Sequence, residues 1–186
     1  MEADWEFEVD DQAPAIEACW PGFVDLRVHP ERAADLPETA QLPGLASALK
    51  TLNSQASIVW TSKCDFWPAL EQEAFNGDEL DAPSESVAHV VGCFIDLLPK
   101  RDRAWAFPAD AEAECRRLCA VFAAIPMRCC RIDLVVRRAV IIPDRMDLGI
   151  TAYITACGST PSEGKAGLEA ALAAFAHAFC LGSKLQ

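Results

Sequence analysis

Residues 110–179 constrain the fold more than any other stretch, because several independent local signals agree there on one continuous piece of architecture. Cys115, Leu118, Cys119, Phe122 and Ile125 recur at helical spacing, Asp110, Glu112 and Glu114 gather near the positive N-terminal end, and Pro126 cannot continue the helix. A run rich in β-branched residues follows over 129–142, the PDRMD turn over 143–147 reverses the chain, and a second such run ends near Cys157. Five connecting residues between two strand-like runs predict an antiparallel hairpin. Thr160-Pro161-Ser162-Glu163 then has the order of a capping box with proline at the first helical position. Leu168, Leu172, Phe175 and Phe179 stripe the last helix, and Gly182 ends it. This is half of a layered domain.

The upstream half carries the same two periods. Trp5, Phe7 and Val9 alternate with Glu6, Glu8 and Asp10, which predicts an edge strand with an acidic outer face. A short helix is expected over 14–20, before the Pro21-Gly22 turn. Alternation over 23–29, with Val24, Leu26 and Val28 on one side, predicts the first core strand. Leu42, Leu45, Leu49 and Leu52 mark a helix, and strands are expected over 57–65 and 88–99. Between them lies an acidic, turn-rich connection over 66–87 that lacks the spacing of a calcium loop.

In order, the elements read β-α-β-β-α-β followed by β-α. We therefore expect a single α+β domain over 1–186, with residues 1–20 as an N-terminal edge extension. Its simplest closure is a two-layer sandwich with a ferredoxin-like βαββαβ core in spatial order 4-1-3-2, a C-terminal β-α added, a mainly antiparallel sheet and helices on one face. A chain of 186 residues can bury roughly 70% of its unfolded surface and needs no metal or disulfide to be stable.

Charge and cysteine usage narrow the function classes. With 28 acidic against 16 basic residues the net charge is −12, so the mean field repels phosphate backbones and anionic membranes. Nucleic acid and membrane are not expected as partners, and the acidity by itself reads as solubility. The nine cysteines sit in apolar contexts without C-x2-C spacing, and neither a signal sequence nor a membrane-length apolar run is present, so a reducing cytoplasm is expected. No Walker A, G-x-G-x-x-G, G-x-S-x-G or H-E-x-x-H pattern occurs, and no metal or cofactor is expected.

One echo nominates a surface. Val24-Asp25-Leu26, Ile95-Asp96-Leu97 and Ile132-Asp133-Leu134 each set a carboxylate between two aliphatic residues, and alternation puts each Asp opposite the buried pair. On neighbouring strands these aspartates would share the helix-free face with Arg27, Arg131, Arg137, Tyr153, Thr151, Thr155, Phe23 and Phe94. Three readings follow: a wet face with cross-strand ion pairs, an interface for a second copy or a small molecule, and a hard-cation or acid–base site. A separate candidate is Cys64, in a run between Trp60 and Trp67, with Lys63 placed to depress its pKa and the tryptophans to wall a pocket. The expected function is a cytoplasmic, non-enzymatic domain that binds or self-associates through its sheet face, a possible homo-oligomer. The alternative is a small hydrolase or transferase using the three aspartates, with or without a metal, or Cys64.

Overall fold

Alternation along the C-terminal hairpin builds the centre of the sheet. In the computed structural model, which describes residues 1–9, 15–70, 80–82, 89–101, 104–142 and 145–180, strand β5 (Cys130–Ile142) pairs antiparallel with β6 (Arg145–Gly158). The chain is a mixed α+β structure. Its order is β1 (Glu2–Glu8), β2 (Ile16–Glu17), a 3-10 turn (Pro30–Asp35), α1 (Pro37–Gln41), α2 (Pro43–Asn53), β3 (Val59–Leu70), β4 (His89–Pro99), α3 (Pro108–Ala123), β5, β6 and α4 (Pro161–Ala178). The six-stranded sheet runs β1-β5-β6-β4-β3, with β2 also on β5. Both N-terminal strands lie parallel to β5, and the other pairings are antiparallel.

This order is not the expected 4-1-3-2, and the cause is local. Residues 23–29 form irregular chain with a turn over 26–28 instead of a core strand. Asp25 Oδ1 accepts the Arg27 backbone N–H at 3.0 Å, and its carbonyl accepts the N–H groups of Val28 and His29. An aspartate bonding to the backbone two residues on offers the chain a turn in place of a ladder. Without that strand the first βαβ unit does not exist, and the N-terminal strand fills the place beside β5. Residues 15–20 are not helical either. They hold β2, while 10–14 lie outside the described residues. Most of the expected acidic connection over 66–87 is likewise outside them, and its first residues extend β3 to Leu70.

Helices cover one face. Leu45, Leu49 and Leu52 of α2, Cys115, Leu118 and Phe122 of α3, and Leu168, Leu172 and Phe175 of α4 share one buried cluster with Ile95, Leu97, Ile132, Leu134, Ile150, Ala152 and Ile154 of the strands. Helix α4 starts as the sequence predicts: Thr160 Oγ1 accepts from the Glu163 N–H at 3.2 Å, and Glu163 Oε2 accepts from the Ser159 N–H at 2.9 Å. Asn53 ties α2 to β3, taking the Thr61 N–H on Oδ1 at 3.1 Å and donating from Nδ2 to Thr61 Oγ1 at 2.8 Å.

Among the described residues, the opposite face is closed only at its ends. At one end Ile16, Ala18, Trp60, Leu98 and Ala139 form a second buried cluster. The segment carrying Ile16 and Ala18 bonds to both flanks of the sheet, through the N–H groups of Ala15 and Ala18 to carbonyls of β5 and through the Ser62 hydroxyl to the Glu17 and Ala18 carbonyls. Glycine at 149 suits the close packing beneath it, since a Cβ there would lie 2.8 Å from Ile16 Cδ1 and 3.0 Å from the Leu97 carbonyl oxygen. At the other end Leu80 packs with Val90 and Cys157. Between the two clusters, no helix among the described residues covers the sheet.

Candidate functional site

Register across the uncovered face lines up side chains in rows. One row runs Asp4, Asp133, Tyr153, Phe94, Asp65 across β1, β5, β6, β4 and β3. The next runs Glu2, Arg131, Thr155, Gly92, Trp67. Gly92 has a packing reason: a Cβ would sit 2.6 Å from the Trp67 ring, so only glycine lets that indole lie against the sheet. Trp67 and Phe94 then flank Tyr153, with ring centroids 6.5 and 6.1 Å away.

Beside these aromatics is a groove of about 360 Å3, lined by Asp4, Glu6, Glu8 and Asp133, by Arg131 and Arg137, and by Tyr153. Both guanidiniums are engaged within it. Arg131 Nε donates to Asp133 at 2.8 and 3.0 Å, with Asp4 3.8 Å from its other end. Arg137 Nε donates to Glu8 at 2.7 Å, and its Nη1 donates to the Tyr153 hydroxyl at 3.0 Å. Four carboxylates against two paired cations leave the groove acidic.

Asp96 lies deeper, 5% exposed, with Thr151 donating to Oδ1 at 2.7 Å. Burial pushes its carboxyl above the usual range, and the Thr151 hydrogen bond, then the charges of Arg137 and Lys63, offset part of the rise.

The structure thus brings Asp96, Arg131, Asp133, Arg137 and Tyr153 onto one face, as the alternation predicts. Asp25 and Arg27 are not there. They pair with each other off the sheet, Arg27 Nε to Asp25 Oδ1 at 2.8 Å, and the guanidinium stacks 3.8 Å above the Trp60 ring. That pairing holds the Asp25 carboxyl below its ordinary value. Phe23 is also elsewhere, edge-on to Trp60 at the closed end. The expected trio of aspartates is therefore not assembled. Among the described residues no three His, Cys, Asp or Glu side chains converge as a metal site requires.

Cys64 and Lys63 lie on β3, where Cys64 pairs with Ile95 and faces the helix layer. The thiol is pushed up to about 12, first by burial and then by the charges of Glu38, Asp65 and Asp96. Lys63 does not depress it, so the expectation of an activated nucleophile is corrected. A neutral thiol is a poor nucleophile. Among the described residues, the pocket beside Cys64 is walled by Trp20 and not by Trp60 or Trp67.

Sequence reasoning missed Asp4, Glu6, Glu8, Asp65 and Trp67 as members of this face. The acidic period of β1 was visible; its pairing with a strand more than a hundred residues away in the chain has no local signal. Comparison with known proteins finds no matching family model, no matching curated protein and no matching solved structure. Among the described residues no helix is long and apolar enough to cross a membrane.

Proposed function

We propose that this chain is a binding domain whose uncovered sheet face receives a positively charged side chain presented by a partner polypeptide. The observation that carries the reading is the groove over β1, β5 and β6, in which carboxylates outnumber guanidiniums and both guanidiniums are already paired. Trp67, Phe94 and Tyr153 beside it supply ring faces, to which an ammonium is attracted at ~0.5–2 kcal/mol depending on desolvation. Two copies meeting through this face would oppose like charges, which costs affinity and favours a different, basic partner over self-association. The raised thiol at Cys64 and the arginine-paired Asp133 lend no support to the alternative of a hydrolase or transferase.

The test is titration of the full chain, followed by amide NMR, with a short peptide carrying lysine between apolar residues and with its acetyl-lysine counterpart. The lysine peptide is expected to shift the amides of Phe94, Asp133 and Tyr153, to bind more weakly as salt rises, and to lose about threefold or more in affinity in Glu6→Gln. Equal binding of the acetylated peptide would remove the proposal. A dimer seen by light scattering and abolished by Tyr153→Arg would transfer the face to self-association.

A further inference from the structure

We infer that the outer edge of β1 takes up an extended segment of a basic partner polypeptide as a further strand, its lysines or arginines alternating with apolar residues. β1 ends the sheet, and among the described residues nothing pairs with its outer side. The Trp5 N–H reports which way the backbone faces. It donates to the Asp4 carboxylate of its own strand at 2.8 Å in an exposed bond, so it is not spent on β5. In a parallel pair alternate residues turn their N–H and C=O groups toward the partner strand. Ala3 and Phe7 therefore present theirs outward with Trp5. The register with β5 is unbroken from Glu2 to Glu8, and the run contains no proline. At the other edge β3 shifts register twice and carries Pro68, devices that hinder a further strand.

Charge selects the occupant. Glu2, Asp4, Glu6 and Glu8 alternate along β1, and the last three line the acidic groove. A strand added about 4.8 Å away sets its own side chains beside them, where opposite charges stabilise the pairing and like charges destabilise it. Two copies joined through β1 would oppose carboxylates with carboxylates, so the occupant is a basic segment and not a second copy. When its carbonyl takes the Trp5 N–H, the Asp4 carboxylate is released to meet an incoming cation. On the other side of the strand Phe7 is 39% exposed and stands edge-on to Trp5, ring centroids 5.6 Å apart, which suits an apolar residue between the cations. This inference rests on the face being a receiver of cationic side chains and adds how the partner is held, backbone to backbone at β1 with its cations over the groove.

The experiment adds to the full chain a peptide of alternating lysine and valine, matched to β1 in length, and its two isomers N-methylated on every lysine amide or on every valine amide. Amide hydrogen exchange is read by NMR and affinity by calorimetry. The parent peptide is expected to slow exchange at the Trp5 and Phe7 amides about tenfold or more. Only one set of peptide amides faces β1, so one isomer is expected to bind about tenfold or more weakly than the parent and the other to bind like it. Strand addition is overturned if the parent shifts the Asp133 and Tyr153 amides but leaves Trp5 and Phe7 exchange unchanged, or if the two isomers bind equally. Either result leaves the groove its cation-receiving role. A parent peptide that shifts none of these amides removes both readings together.

Discussion

Asp96 is the residue where fold and chemistry pull against each other. Asp96 is 5% exposed and, among the described residues, its carboxyl accepts one hydrogen bond, from Thr151, while burial raises its pKa in the folded state. A carboxyl whose folded pKa lies above its unfolded one binds protons more tightly when folded. Its contribution to stability is therefore full below the unfolded pKa and is lost as pH rises through the folded pKa. Asparagine keeps the oxygen that accepts from Thr151 and carries no charge, so Asp96→Asn should be more stable than the parent at pH 7. The gap should close as pH falls toward 4, near the ordinary carboxylate pKa. Urea unfolding of both proteins at the two pH values checks this; a gap independent of pH would mean that Asp96 does not titrate in that range. The position of Asp96 was legible from the sequence, because strand parity is a nearest-neighbour property and β4 is an uninterrupted strand. Asp25 had the same aliphatic neighbours and was misplaced, because its side chain bonds to the Arg27 backbone and makes a turn that hydrophobic alternation does not register.

At the scale of elements, the clearest local junction is Asn53, the last residue of α2. Its side chain makes three hydrogen bonds, donating to the Leu49 carbonyl and the Thr61 hydroxyl and accepting the Thr61 N–H. The partner strand shifts register between Thr61 and Cys64, so Asn53 takes up a backbone donor next to an irregularity in the ladder. Asn53→Ala leaves that N–H buried without an acceptor and should destabilise the protein by ~1–3 kcal/mol. Asn53→Asp, which keeps the acceptor and loses the donor, buries a charge and should cost more at pH 7 than at pH 4. Chemical denaturation reads both, and an alanine variant as stable as the parent would mean that water replaces the lost acceptor. Helices α2, α3 and α4 and the hairpin were legible because caps, prolines and periodicity act within a few residues, as at Thr160 and Glu163. Which strands become neighbours was not, since β1 meets β5 only through long-range pairing with no turn to fix its register.

For the whole molecule, one helix-covered core carries the stability, and its cysteines sample it from several directions. Cys93 sits on β4, Cys115 on α3 and Cys130 on β5, all buried in that core, and burial raises each of these thiols, Cys130 to about 11 and Cys115 to about 12. Cys19 is exposed on the segment that joins β5 to β3. Attack on an aromatic disulfide reagent requires a thiolate with access to solvent. At pH 7.5 Cys19 should therefore react within the mixing phase of the experiment. The three core thiols should follow together at one slow rate set by unfolding, because a single cooperative core opens as a unit when labelling outpaces reclosing. Mass spectrometry of peptides taken through the time course resolves each site. If Cys115 on α3 labels much faster than Cys93 at the middle of the sheet, the helix opens on its own and the covered face is two cooperative units. A common rate that rises with urea along the unfolding limb would show the helix layer and the sheet melting as one body, so that the acidic groove sits on a single cooperative scaffold.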